Sequence, residues 1–567
     1  MRRATALRTP VALVALAALA AACSRGSETP GTRAQPASTT TAHASGATCW
    51  SAPIASSAAS PDETFVDATD DLGLDEPLKA MFVHASALGD VDGDGWLDLF
   101  VGSFGDRPAA RYAKRGADGP SPDRLLRGGP GGFTVDSSFP ELRGRTSGAV
   151  FTDLDGDGDL DLALARNLGR RSDEISQAPS VVLVNDGGAF GEPRPIPAGK
   201  GARAVVPLDV DSDGDLDLFI AGDDVLTAAD EDDTTPAVGT SRLLRNEGGF
   251  HFVDATRASG LPADLTGYGA VAADLSGDGR RDLVVAGDNR LFVADERGRF
   301  HDATPKGFAW KTFGAEDIVT GVAVGDLDRD GRPDVAMGHH YGSTIDLDRR
   351  VPIRVWRNAG PDDAGDPRLI EITATAGIPS FATKAPHVAL DDFDDDGAVD
   401  LLVTASAARG TLPTLLRNRG GDTVRFEAPA GLGDPQYWVT GSVGDVDHDG
   451  RLDVFLGEFE PAKPSRLLLG RGRGHWLAID VSDQPLGGIG SIVRAYEPGR
   501  SGDDDALIAR IDVVGTSGYA GGDPPIAHIG LGDATSADVV VERPGGARTD
   551  YGNVRADQLV RAGGCTR

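Results

Sequence analysis

The chain has 567 residues, with 76 glycines, 6% aromatic residues and a formal net charge of -32. That length excludes a single ordinary core and calls for several domains or a repeat, while abundant glycine with few aromatics suits many short strands joined by tight turns. The acidic balance excludes nucleic acid as a partner, because displacing its counterions needs a basic surface.

The first element reads as an export signal spanning residues 1–22. Arg2, Arg3 and Arg8 precede an apolar run from Val11 to Ala22, which is too short to span a bilayer. The stretch "LAALAAAC" ends at Cys23 and resembles the lipobox of bacterial lipoproteins, which implies acylation of Cys23. The alternative is an ordinary secretory peptide cleaved nearby. Both readings place the protein outside the cytoplasm, lipid-anchored to the cell envelope in the first case, with the membrane reached only through that anchor. Residues 23–61, rich in Ser, Thr, Ala and Pro, read as a flexible tether. With Cys23 acylated, Cys49 and Cys565 remain, one on each side of the folded region. In an oxidising compartment they are expected to pair; the alternative is two free or intermolecular thiols.

An acidic motif, D-x-[DS]-x-D-G-x-x-D, then recurs seven times, beginning at Asp90, Asp153, Asp209, Asp274, Asp326, Asp392 and Asp445. Oxygen-bearing side chains occupy positions 1, 3, 5 and 9. These are Asp90, Asp92, Asp94 and Asp98; Asp153, Asp155, Asp157 and Asp161; Asp209, Asp211, Asp213 and Asp217; Asp274, Ser276, Asp278 and Asp282; Asp326, Asp328, Asp330 and Asp334; Asp392, Asp394, Asp396 and Asp400; and Asp445, Asp447, Asp449 and Asp453. Carboxylates so close together repel one another unless a cation supplies the missing charge. All-oxygen ligands around a glycine bend suit a hard cation of six to eight ligands, and calcium fits better than magnesium, which demands tighter octahedral geometry. Up to seven calcium ions are expected. An EF-hand is excluded, since its position 12 needs a bidentate Glu and here holds Val101 or Leu164.

Short apolar runs flank each motif, as in "VPLD…DLFIAG", so each acidic loop is the turn of a buried hairpin. Two further segments follow most copies, L-L-x-N-x-G ("LLRNEGG" from Leu243) and F-x-D-x-T ("FVDAT" from Phe252). About four strands per repeat, seven times over, predict an all-β, seven-bladed β-propeller across residues 62–470. The last repeat lacks F-x-D-x-T, whereas an extra copy begins at Phe65, so the N-terminal strand is expected to complete the seventh blade and cover its edges.

The loops after the second strand of each repeat lie opposite the acidic turns. Those of the first two repeats are long and carry Arg107, Arg111, Tyr112, Lys114, Arg115, Arg166, Arg170 and Arg171, a candidate basic patch for an anionic glycan or acidic protein. The alternative is a solvated loop. In the fifth repeat, His339, His340 and Tyr341 are candidates for a metal or sugar, although adjacent histidines on a strand point to opposite faces and chelate poorly.

The repeats resemble the FG-GAP/VCBS repeats of integrin α-chain propellers. Residues 474–562, with "GHWLAIDV", "GGIGSIVRAY" and "GTSGYAGGDPPIAHIGLGDA", resemble the ASPIC/UnbV domain, a small β-rich unit. Their pairing is similar to the cartilage acidic protein family and its bacterial relatives. Gln484, Pro485 and Leu486 stand where that family has S-N-R, and Arg543, Pro544, Gly545 and Gly546 where it has W-P-x-G. The resemblance implies an extracellular, calcium-stabilised recognition protein with calcium on one face and ligand on the other. The fourth site, with Ser276 and the basic Arg280 and Arg281, is expected to be the weakest. The leading reading is a monomeric, non-enzymatic binder of a glycan or protein, without catalytic residues; no G-x-S-x-G, H-E-x-x-H or phosphate loop occurs. The alternatives are a polysaccharide-degrading enzyme using His339 and His340, or an envelope-complex assembly factor docking through the C-terminal domain.

Overall fold

Each acidic motif is the turn of an antiparallel hairpin. In the third repeat Ala202–Leu208 and Asp217–Gly222 pair with Val206 opposite Phe219 and Leu208 opposite Asp217. Every residue of both strands is buried, because both sheet faces pack against neighbours and the strands therefore read as continuous apolar runs. The L-L-x-N segment (Arg242–Asn246) adds the third strand and F-V-D (Phe252–Asp254) the fourth. In F-x-D-x-T the aspartate ends the outer strand, accepting from the Thr256 N–H, and the Thr256 hydroxyl accepts from Leu243 N at 3.0 Å.

The computed structural model describes residues 40–41 and 64–563, apart from 115–116, 170–172, 224–239, 311–316, 342–350, 382–386, 405–413, 422, 428–429, 433–437 and 460–462. Cys23, Cys49 and Cys565 lie outside the described residues, as do the side chains of Arg115, Arg170, Arg171, His340 and Tyr341. Among the described residues no helix is long and apolar enough to cross a membrane.

Seven repeat sheets follow one another along the chain: six have four antiparallel strands, and the four antiparallel strands of the first are extended by two strands of the C-terminal region. A hydrophobic cluster joins each to the next. The ring closes through Leu88 and Leu99 of the first sheet packed with Phe455 of the seventh. The N-terminal strand Phe65–Asp67 pairs with Leu468–Gly470 and completes the seventh sheet, as the extra F-V-D-A-T copy implies. His448 of the seventh acidic turn stacks on Trp96 of the first, with ring centroids 3.7 Å apart.

Residues 475–561 form two further sheets around Leu477, Val493, Ile529, Val539 and Val541. This cap belongs to the same compact unit as the ring and sits on the face that carries the acidic turns. Arg561 lies 3.5 Å from Asp90, and His528 2.7 Å from Asp395. Contact is close enough that a Cβ at Gly530 would collide with the Asp392 carboxylate. The cap segment 516–522 enters the ring axis, where Gly521 pairs with Ser86 and Gly518 with Val322. At its tip Tyr519 is buried among Tyr268, Ile318 and Val439, and its N–H meets His387 Nδ1 at 3.1 Å.

Candidate metal centres

The seven turns share one hydrogen-bonding plan. The position-6 glycine takes a left-handed φ in every copy, from +80° at Gly331 to +95° at Gly95, where a side chain would be strained. Its N–H donates to the position-1 carboxylate, as Gly331 does to Asp326 Oδ2 at 2.9 Å and Gly450 to Asp445 Oδ2 at 2.9 Å. The position-5 carboxylate accepts from the N–H of position 7, as Asp94 does from Trp96 at 2.8 Å. These local bonds bend the chain so that the acidic side chains converge.

The position-9 aspartates are fully buried and clamp the turn to the third strand. Asp217 Oδ2 accepts from Val210 N at 3.0 Å, and Oδ1 from Asn246 N at 2.8 Å. Asp161 does the same with Leu154 and Asn185, and Asp334 with Leu327 and Asn358. Both oxygens are therefore held by backbone N–H groups before any cation arrives. Position 9 is as much a structural clamp as a ligand.

The acidic oxygens of the turns suit a hard cation. Ligand atoms of Asp90, Asp92 and Asp94 lie within 4.8 Å of one another, as do those of Asp153, Asp155 and Asp161; Asp209, Asp211 and Asp217; Asp326, Asp328 and Asp334; and Asp392, Asp394 and Asp400. Asp90 Oδ1, Asp209 Oδ1, Asp211 Oδ1, Asp328 Oδ1 and Asp394 Oδ1 are buried without a hydrogen-bond partner. Buried oxygens left unpaired cost about 1–3 kcal/mol each, and a cation would satisfy them. Burial, reinforced by the neighbouring carboxylates, pushes Asp90 and Asp209 up to about 6 and Asp98, Asp161, Asp217 and Asp326 up to about 7. Asp400 rises to about 9 for the same reasons. Carboxylates raised in this way favour a bound proton or, in its place, a cation.

Two features of these centres escape a reading of the motif alone. The arginine of L-L-R lies against the position-3 carboxylate of its own sheet: Arg357 is 3.1 Å from Asp328, Arg417 3.1 Å from Asp394 and Arg127 3.5 Å from Asp92. The asparagine of L-L-x-N joins successive turns. Asn246 Nδ2 donates to Leu154 O of the preceding turn at 2.9 Å and to Leu216 O of its own at 3.2 Å. Asn185, Asn358 and Asn418 reach back to Val91, Leu275 and Leu327 in the same way. The repeated Arg and Asn were the available signal; their partners depend on how sheets stack.

In the fourth turn Ser276 Oγ is buried and unpaired. The cap places Arg510 3.4 Å from Asp274 O and 4.0 Å from its carboxylate, and Arg280 pairs with Asp278. A missing carboxylate and a nearby guanidinium both lower this turn's attraction for a cation.

The basic patch is only partly assembled. Arg111 and Lys114 are exposed on and beside the short helix Ala109–Ala113. Tyr112 is not a surface residue: it is 1% exposed, packs edge-on against Phe82 and donates to Phe104 O. Arg166 is likewise buried, 3.6 Å from Asp123 and bonded to Pro179 O, so it is spent on holding the loop base. Arg107 lies over the rings of Phe104 and Phe459. His339 is buried opposite Val319, its ring 6.3 Å from Trp310. In the cap, His475 bonds Asp557 at 2.8 Å, and Trp476 stacks with His528.

A model of the FG-GAP-like repeat matches residues 90–164, 153–220, 274–337 and 392–456, and the ASPIC and UnbV model matches residues 483–563. Cartilage acidic protein 1 of Mus musculus and of Homo sapiens are each 28% identical over 274 residues, covering 46% of this chain and 38% of each relative. The match therefore spans well under half the length of these relatives. Similar solved structures include a Bacillus licheniformis rhamnogalacturonan lyase, with TM-score 0.36, 13% identity and 68% of this chain and 71% of that chain covered. The V. cholerae biofilm matrix protein Bap1 has TM-score 0.28 and 12% identity, with 84% and 73% covered. The repeated acidic hairpins, the all-β ring and the cap on its acidic face thus match FG-GAP-like repeats followed by an ASPIC and UnbV domain, and the chain is similar to cartilage acidic protein 1.

Proposed function

We propose that this chain is an exported, lipid-tethered recognition protein whose acidic turns hold calcium and whose opposite rim binds an anionic glycan or an acidic protein, without catalysis. The buried, partnerless carboxylate oxygens at positions 1 and 3 support the calcium reading, since an all-oxygen, carboxylate-rich set suits calcium. The calcium acts as structural glue: the position-9 clamps and the asparagine bridges tie each turn to the frame of the ring. The observation that carries the recognition reading is the division of faces. The cap occupies the acidic-turn face, so a ligand must approach the other rim. There the helix Ala109–Ala113, anchored by buried Tyr112, holds Arg111 and Lys114 in solvent.

The test is capture of anionic and neutral polysaccharides and of acidic proteins by the full chain, in calcium and in chelator, scoring both binding and released fragments. Calcium-dependent capture without fragments, lost on joint substitution of Arg111 and Lys114 by Ala, is the expected result. Fragments would replace this reading with a polysaccharide-degrading enzyme. Capture unaffected by the substitutions would remove the rim patch from the proposal.

A further inference from the structure

A second kind of acidic site lies between ring and cap. A cavity of about 110 Å³ opens where the cap meets the inner ends of the fifth to seventh sheets. Asp391 and the turn residue Asp445 from the ring, and Asp523 and Thr516 from the cap, line it. Asp391 ends the inner strand Val388–Asp391 just before the sixth acidic turn, and on an extended strand its side chain points away from that of the turn's Asp392. Among the described residues no hydrogen-bond donor reaches the Asp391 carboxylate. Asp523 Oδ1 accepts from Val443 N at 3.1 Å. Thr516 is 5% exposed, and its Oγ1 has no hydrogen-bond partner.

Both carboxylates line the one cavity. The cations that line the same cavity are engaged elsewhere. Arg510 is held by Asp512 at 2.7 and 2.9 Å and donates to Gly331 O, while His528 bonds Asp395. A ring carboxylate and a cap carboxylate thus face one space without a positive partner, beside an orphaned hydroxyl oxygen. Their repulsion opposes docking of the cap unless something bridges them. A volume of about 110 Å³ accommodates an ion with a few waters, each taking ~30 Å³ of liquid volume.

We infer that this cavity binds a hard divalent cation, calcium, coordinated by Asp391 from the ring and by Asp523 and Thr516 Oγ1 from the cap, as a latch between the two domains. The donors are all oxygen, two of them carboxylate, with water to complete the shell. This ion is additional to those of the seven turns, because two of its ligands come from the cap.

The test is the number of calcium ions bound per full chain after equilibration in calcium, measured by elemental analysis on folded protein. Asp523→Asn is the decisive variant, since Asp523 is remote in sequence from every acidic turn. It should lose one ion per chain. Asp391→Asn should lose the same ion, and the double variant no more than either. Thr516→Val should keep the ion and weaken it several-fold. An unchanged count in Asp523→Asn overturns the latch, and a raised melting temperature with unchanged count would identify two carboxylates sharing a proton. The turns fail separately: a wild-type chain with one ion that Asp523→Asn abolishes would retain the latch and refute calcium in the turns.

Discussion

The two faces of the ring are built on opposite plans. On the acidic-turn face one geometry recurs seven times: a left-handed glycine, a position-1 carboxylate on its N–H, and a buried position-9 aspartate clamped to the third strand. On the opposite rim the described connections differ from one another. Its fourth connection is the tight turn at Asp288–Asn289, whereas its first runs from Phe104 to Asp123 and contains a helix. A geometry needed at every copy to gather carboxylates tolerates little variation. A rim whose only shared task is to join two strands is free to diversify, and recognition is commonly placed on such loops.

The largest way to sharpen this contrast is chelation. If several turns contribute on the order of 0.4 to 1.4 kcal/mol each at ~1 mM calcium, removing calcium should lower the melting temperature by roughly 5 °C, read by calorimetry. An unchanged melting point would break the assignment of the acidic face to metal. Asp161→Ala should come next. It strands the buried N–H groups of Leu154 and Asn185 and should cost about 2–5 kcal/mol in denaturant unfolding, even in chelator, because the clamp is independent of metal.

Asn246→Ala removes the bridge between the second and third turns and should cost about 1–3 kcal/mol. It should also weaken calcium binding at both neighbouring turns, measured by titration. The pH dependence follows from burial and repulsion, which raise the turn carboxylates to about 6 or 7. The metal-free fold then holds more protons than the unfolded chain, so its stability is greatest below about pH 4 and falls as pH rises through 6–7. Calcium competes with those protons, so its affinity should rise about tenfold or more from pH 5 to 7.5. At the other extreme, replacing Arg111 and Lys114 with Ala should change stability by less than about 0.5 kcal/mol. A larger loss would show that the rim, like the opposite face, is part of the frame.

Much of the frame was legible in the residues. Seven motif copies, the apolar runs around them and the stray F-V-D-A-T at Phe65 all report local periodicity and turn chemistry, which depend on near neighbours in the chain. The rim was misjudged for the opposite reason. Tyr112 and Arg166 read as available side chains, but packing against Phe82 in one case and pairing with Asp123 in the other consumed them. Charge in a loop shows composition; whether it faces solvent depends on what folds over it.

By itself, then, the sequence determined the hairpins, their acidic turns, the glycine bends and the number of repeats, because a D-x-D-x-D-G turn between apolar strands has one low-energy shape. Only the tertiary structure decided that Asn246 bridges two turns, that the C-terminal domain covers the acidic face, that Tyr519 fills the ring axis, and that Asp391 and Asp523 meet across a cavity. Those contacts join residues up to hundreds of positions apart, and no local pattern encodes a partner brought close only by closing the ring and docking the cap.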